Sequence, residues 1–275
     1  MNRATSTKEL INYINSRLDQ EIQIIQKSWM APLNTNTRHF VVNNLLPDKI
    51  CYEIYNGFPS DGEGFHKRSS FREMKRTSAD LLSQKKILSN IVDAFQSDEV
   101  VKKVSKIVNM NKLEPDLDLY AGGLSMMFKD DYLNPHIDNS HNLRRNRFRR
   151  LNLLYYVTPS WEKEYGGNFE LWDTKKNIPK TIVSYFNRLV VMETNKTSWH
   201  SVSQVKVDKI RCCVSNYYYS SISPDNTEYF HVTSFRGRPN EKIKTIYGLF
   251  DNSLRNFVAK VFKAGRGKKL IRKKD

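Results

Sequence analysis

The chain has 275 residues and a formal net charge of +16, from 45 Lys and Arg against 29 Asp and Glu. That length can bury a full core, as one large domain with terminal additions or as two small ones, and 39% hydrophobic with 27% charged residues is the balance of a soluble globular protein. No apolar run could span a bilayer, Met1 to Ser6 lacks the apolar stretch of a secretory signal, and Cys51, Cys212 and Cys213 form neither a disulfide framework nor a zinc-type pair. A cytoplasmic protein with reduced, buried thiols is expected.

Ser6-Thr7-Lys8-Glu9 is a capping-box pattern, and Ile11, Ile14, Leu18, Ile22, Ile25 and Trp29 follow at intervals of three and four. This predicts one amphipathic helix ending before Pro32, with its stripe packed on the main domain or on a second subunit; helix and linker occupy residues 1–37. His39 to Val42 reads as a strand, and Asn43 or Asn44 is expected to cap a helix that starts near Pro47 and carries Ile50, Ile54 and Tyr55. Gly57 to Ser70 reads as a loop, with a structural role for His66. Two helices follow, one with Ile87, Leu88, Ile91, Val92 and Phe95 inward, the next with Val100, Val101, Val104, Ile107 and Val108, separated by a cap at Ser97-Asp98.

From Leu117 the pattern becomes short strands: 117–129, 151–157, 168–172, 181–185, 189–193, 200–205 and 211–220. Many short strands without intervening helices point to a sandwich or barrel, and a jelly roll is the variety that keeps a ligand in its mouth. The expected fold is α+β, with a jelly-roll core over about 117–220 inside a domain spanning 38–222. The helices before it pack on one outer face. A C-terminal extension, 223–275, holds the loop Arg236-Gly237-Arg238-Pro239, then a helix with Leu249, Leu254, Phe257, Val258, Val261 and Phe262. Gly265 and Gly267 end that helix, and a basic tail follows.

Much of the positive charge lies in that tail, Lys263 to Lys274, and in Arg144 to Arg150. Such clusters are either solvated surface or a site for nucleic acid or an anionic surface.

In Asn134-Pro135-His136-Ile137-Asp138 an imidazole and a carboxylate stand two residues apart. On an extended strand they share a face and can hold one metal ion between them. His200, in Thr197-Ser198-Trp199-His200-Ser201-Val202, is the candidate third ligand. Two His and one carboxylate leaving open positions is the arrangement of non-haem Fe(II) oxygenases. Arg211 heads the apolar strand Arg211-Cys212-Cys213-Val214-Ser215; a buried guanidinium there needs an anion, and its planar fork suits a carboxylate.

Four elements in this order resemble the Fe(II)/2-oxoglutarate-dependent dioxygenases, and among them the prolyl-hydroxylase-like branch. They are Asn134 to Asn139, the strand Arg150-Leu151-Asn152-Leu153-Leu154-Tyr155-Tyr156-Val157, the segment Gly166-Gly167-Asn168-Phe169-Glu170-Leu171, and His200-Ser201-Val202 followed by Arg211. The resemblance runs from about Phe40 through Tyr219. It implies a double-stranded β-helix, with His136, Asp138 and His200 as catalytic iron ligands and Arg211 paired with the distal carboxylate of 2-oxoglutarate. Tyr156, or Tyr155 if the register slips by one, reaches the same carboxylate, and Asn152 and Leu154 share its inward face.

The activity implied is hydroxylation of a C–H bond with release of succinate and carbon dioxide, with dioxygen and 2-oxoglutarate as cosubstrates and ascorbate as reductant. Its target is a prolyl residue of a peptide or protein, or else a small molecule, sugar or lipid-linked intermediate. A reading of another class is a basic nucleic-acid or membrane-surface binding protein with an incidental metal site.

Neighbouring residues have simpler expected roles. His141 is a loop residue near the mouth, His39 and His231 are surface or core-edge histidines, and Trp161 and Trp172 pack or line the mouth. Glu170 is expected to face outward, and Asn139 to Arg149 to form a long Arg-rich loop at the entrance that favours an anionic substrate or acts as a lid.

Overall fold

The computed structural model describes residues 4–173, 178–261 and 271–273. Its elements run α1 (Thr7–Gln20), α2 (Ile22–Met30), β1 (His39–Asn43), α3 (Asp48–Tyr55), β2 (His66–Ser69), β3 (Glu73–Ser78), α4 (Lys86–Phe95), α5 (Asp98–Val108) and β4 (Leu113–Pro115). There follow β5 (Gly123–Met127), β6 (Tyr132–Ile137), β7 (Phe148–Tyr156), β8 (Phe169–Leu171), β9 (Lys180–Ile182), β10 (Arg188–Glu193), β11 (His200–Val202), β12 (Arg211–Ser220), β13 (Ser234–Phe235) and α6 (Lys242–Val261). The strands join in one curled antiparallel sheet whose main path is β1-β10-β7-β12-β5-β3-β6-β11-β8-β9. This is the expected α+β, double-stranded β-helix architecture.

Alternation along two long strands divides the interior. On β7, Leu151, Leu153 and Tyr155 enter the larger core with α1, α4, α5 and β1, while Leu154 and Tyr156 turn into the barrel with Phe169, Leu171, Val190 and Cys213. β12 repeats the division: Cys212 and Val214 face the helices, and Arg211, Cys213 and Ser215 line the barrel's cavity. A period of two thus makes each strand a wall with a dry structural face and a ligand face.

Ser6 caps α1 as read, with a reciprocal capping box to Glu9. The single N-terminal helix is in fact two, interrupted at Glu21, whose φ of −100° and ψ of 4° leave helical geometry. Its inward stripe is Leu10, Ile14, Leu18, Ile25 and Trp29, with Ile11 and Ile22 only partly buried. The stripe packs within this chain, α1 against α4 and α5, and α2 against α5 and β1.

Pro47, not Asn43 or Asn44, occupies the N-cap of α3, with no side-chain hydrogen bond there; Asn44 instead takes a φ of 51° in the preceding turn. The loop 57–70 ends in a strand. β2 pairs with β3 as a hairpin, and β3 joins β5 and β6. Its residues, such as His66-Lys67-Arg68-Ser69, lack the apolar alternation that marks a half-buried strand, because backbone pairing rather than side-chain burial holds it. Ser97 caps α5 as expected, accepting from the Val100 N–H at 3.3 Å.

In the extension, Phe262, Gly265, Gly267 and most of the basic tail lie outside the described residues. Arg272 lies on the body of the domain, donating to an Asp93 carboxylate oxygen at 2.7 Å.

Candidate active site

The metal-binding pattern assembles at the pairing of β6 with β11, which sets His200 opposite His136, and Asp138 follows directly after β6 ends. His136 Nε2 lies 3.7 Å from Asp138 Oδ1, and His200 Nε2 lies 3.4 Å from Asp138 Oδ2. One ligand atom from each of the three residues fits within 4.8 Å of the others. Both rings meet the carbonyl two residues earlier, Asn134 and Ser198, through Nδ1 at 2.9 Å. A carbonyl only accepts, so Nδ1 carries the proton and each Nε2 lone pair is left for a metal. Burial, together with the adjacent His200, pushes the His136 ring down to about 3, which keeps it neutral and able to ligate.

Two side chains address the carboxylate. Asn152 Nδ2 donates to Asp138 Oδ2 at 2.6 Å, and Arg149 Nη1 stands 3.4 Å from the same oxygen. Burial alone would raise the Asp138 carboxyl; the Arg149 charge opposes it foremost, and the group is held well below the usual carboxylate range. Two imidazoles and one ionised carboxylate facing an open cavity fit a divalent first-row ion such as Fe(II).

That cavity has a volume of about 830 Å³. On one side of the triad it is lined by Leu154, Tyr156, Phe169, Arg211 and Cys213. The Arg211 guanidinium lies over the Tyr156 ring, 5.1 Å from its centroid, and Arg211 Nε and the Tyr156 hydroxyl are buried without hydrogen-bond partners. Two orphaned donors side by side in a buried pocket fit an anion with carboxylate geometry. Gly167 leaves room for this arrangement: a Cβ there would sit 3.0 Å from Arg211 Cδ and 3.1 Å from the Trp161 ring. Tyr155 points the other way, into the helix-side core, where its hydroxyl donates to Asn187 Oδ1 at 2.8 Å. The strand register therefore places Tyr156 at the cavity.

Residues 122–219 match the family model described as the 2OG-Fe(II) oxygenase superfamily. That segment is similar to the 2OG-Fe(II) oxygenases. Its cofactors are accordingly Fe(II) and 2-oxoglutarate. A mouse protein named prolyl 3-hydroxylase OGFOD1 is 26% identical over 172 residues, covering 60% of this chain and 30% of the mouse protein. The Xenopus laevis protein of that name is 35% identical over 77 residues, 26% of this chain and 15% of its own length. The chain thus spans less than a third of the curated relatives it matches.

Among solved structures, a prolyl-4-hydroxylase from Pseudomonas putida superposes with a TM-score of 0.54 at 11% identity, over 72% of this chain and 98% of that one. A prolyl hydroxylase from Trichoplax adhaerens, solved with a hypoxia inducible factor peptide fragment, gives 0.51 at 16% identity, over 73% and 91%. At these identities the likeness is one of fold.

Several expectations are corrected by the side-chain contacts. The Arg-rich segment is not a loop throughout, since β7 begins at Phe148. Arg149, Arg147 and Arg150 are engaged within the protein, with Asp138, Glu114 and the Ile222 carbonyl respectively. Arg145 donates to the Ala259 carbonyl and lies over the Phe230 ring. Arg144 is the exposed member, so the run is no continuous phosphate-facing surface. Glu170 is buried, not outward, and accepts from Ser201 Oγ at 2.5 Å and Arg238 Nη2 at 2.9 Å. His39 is a fully buried residue, while His141 and His231 both line the cavity. Trp161 and Trp172 pack inward, donating to the Gly166 carbonyl and Ser201 Oγ.

Sequence reasoning missed Arg149 for a specific reason. The pairing of β7 with β12 matches Tyr218 to Leu151 and Tyr219 to Arg149, skipping Arg150. That bulge interrupts the simple alternation, and Arg149 meets the same carboxylate as Asn152. Also missed was the segment Phe230 to Phe235, which lines the cavity together with Leu254 and Val258 of α6.

Proposed function

We propose that this protein hydroxylates a C–H bond of a prolyl residue in a peptide or protein, consuming dioxygen and 2-oxoglutarate, with ascorbate as reductant. The oxygenase part is carried by one observation: the His136, Asp138 and His200 cluster shares a buried cavity with the orphaned donors of Arg211 and Tyr156. The prolyl target is supported by the relatives named prolyl 3-hydroxylase. Three unpaired, buried cysteines support the further proposal of a reducing, cytoplasmic setting.

In this reading His136, Asp138 and His200 hold the iron, and Arg211 and Tyr156 receive the distal carboxylate of 2-oxoglutarate. When bound, iron and cosubstrate together supply the oxidative decarboxylation to succinate and carbon dioxide that drives C–H hydroxylation. The protein's own residues set the conditions for it. The two Nδ1–H groups, tied to backbone carbonyls, aim the imidazoles. Arg149 and Asn152 keep the Asp138 carboxylate ionised and oriented. Leu154, Phe169 and Cys213 form an apolar wall that keeps bulk water from the cosubstrate.

The test is succinate formation from 2-oxoglutarate with Fe(II), ascorbate and dioxygen, combined with mass spectrometry on proline-containing peptides. Gain of one oxygen on a prolyl residue supports the proposal. Succinate formation with every prolyl peptide unmodified, and a sugar or other small molecule oxidised instead, would sink the prolyl part alone.

A further inference from the structure

We infer that Phe235, held in place by Asn252 of the C-terminal helix, is a positioning residue for the His136 ring, so that the extension beyond the barrel is a working part of the metal site. The inference rests on the oxygenase reading and goes beyond it, since these residues lie outside the matched segment 122–219.

Three contacts bring the extension to the ligand. β13 adds to β6 with Phe235 opposite His136, and the Arg236 N–H donates to the Pro135 carbonyl at 2.9 Å. The Phe235 ring then stacks on the His136 imidazole, with centroids 5.1 Å apart and planes 19° apart. His200 is the imidazole's other aromatic neighbour, at 4.1 Å. Phe235 itself is only 4% exposed.

Helix α6 grips this residue by its backbone. Asn252 Oδ1 accepts from the Phe235 N–H at 2.9 Å, and its Nδ2 donates to the Phe235 carbonyl at 2.7 Å. One turn on, Asn256 Oδ1 accepts from the Val232 N–H at 3.0 Å. Gly248 is what lets the helix come so near, because a Cβ there would sit 2.6 Å from the Phe235 carbonyl oxygen. Glycine is unfavourable in a helix interior relative to alanine, and here the close approach explains its presence.

The stack adds a restraint on the imidazole to those from its hydrogen bond and from His200. The bond from Nδ1 to the Asn134 carbonyl fixes the tautomer and one direction of the ring, yet the ring can still rock about that bond and swing Nε2 off the metal. An aromatic face lying nearly parallel stops this rocking, the role that neighbouring groups play for metal-bound histidines generally.

The experiment is Co(II) titration of the 275-residue apoprotein, followed by visible absorption and by competition with a chelator, for Phe235→Leu, Phe235→Tyr, Asn252→Ser and the remote core variant Leu10→Ala. Phe235→Leu and Asn252→Ser are expected to lower Co(II) affinity about tenfold and to alter the cobalt spectrum. Phe235→Tyr should retain both, and Leu10→Ala should lower thermal stability while leaving affinity unchanged. Affinity within twofold of wild type in folded Phe235→Leu or Asn252→Ser overturns the inference, as does an equal loss in Phe235→Tyr or Leu10→Ala. Wild-type protein that binds no Co(II) or Fe(II) would sink the oxygenase reading as well; equal binding by all variants sinks only this one.

Discussion

Arg149 and Asp138 form an ion pair inside the protein, 3.4 Å between Nη1 and Oδ2, with the guanidinium side chain 1% exposed. The arginine is also stacked on Tyr217, 3.9 Å from its ring centroid, and donates to Asn139 Oδ1 at 3.0 Å. Removing one partner of such a pair leaves an uncompensated charge. Arg149→Met should therefore destabilise the metal-free protein by about 3–5 kcal/mol. A divalent ion next to Asp138 supplies positive charge in its place, so the variant's melting temperature should rise more on adding Co(II) than the wild type's does. Denaturation with and without EDTA measures both, and a metal-free variant within about 1 kcal/mol of wild type would contradict the assignment.

Arg211 and Tyr156 should separate by magnitude. Deleting one partner of a buried charged pair costs about 2–5 kcal/mol, so Arg211→Ala is expected to raise the KM for 2-oxoglutarate by about 30-fold or more. Tyr156→Phe removes a single hydrogen bond, about 1 kcal/mol, and should raise it by about fivefold. Initial rates of succinate formation at varied 2-oxoglutarate decide this. Equal effects in both variants would argue against a shared carboxylate.

His136→Ala and His200→Ala each remove a proposed metal ligand and should abolish 2-oxoglutarate turnover while the protein stays folded by circular dichroism. Turnover persisting at more than about a hundredth of the wild-type rate in either variant would exclude that residue from the ligand set.

Asp116 gives a pH signature. Burial raises its carboxyl to about 7, against the opposing pull of Arg149. The unfolded chain releases this proton near pH 4 and the folded chain retains it to about 7, so this group's effect on stability is unfavourable above that window and absent below it. Asp116→Asn should stabilise the protein relative to wild type at pH 8, by no more than about 4 kcal/mol, and the difference should shrink to less than about 1 kcal/mol at pH 4. Urea melts of the metal-free protein at the two pH values check the sign.

The thiols should be silent. Burial pushes Cys51 and Cys212 up to about 12 and raises Cys213 as well, so little thiolate exists at pH 8. Native protein should resist a thiol reagent such as Ellman's, and all three cysteines should react once it is denatured. Rapid labelling of native protein would show that one of them is accessible.

The order His136, Asp138, His200, Arg211 is legible in the chain because each residue type carries its chemistry with it: imidazole and carboxylate as ligands, a guanidinium for an anion. The alternation along residues 151–156 is equally legible, and it places Tyr156 with Asn152 and Leu154 on the cavity side. Helices α4 and α5 follow from apolar spacing and from Ser97. The hairpin of β2 and β3 does not, since its strands are polar and held by backbone pairing. Arg149 is hidden by a bulge that interrupts the alternation, and Glu170 by a partner, Arg238, that arrives from the far end of the chain.

By itself, then, the sequence determines the candidate ligands and the strand-rich core that carries them, because residue chemistry and short-range periodicity are local properties. Only the tertiary structure decides what surrounds those ligands: the counter-ion beneath Asp138, the ring against His136 and the helix that holds that ring. These are meetings of segments far apart in the chain, and their pairing depends on register, a bulge and the close approach allowed at Gly248, none of which is written in the spacing of residues.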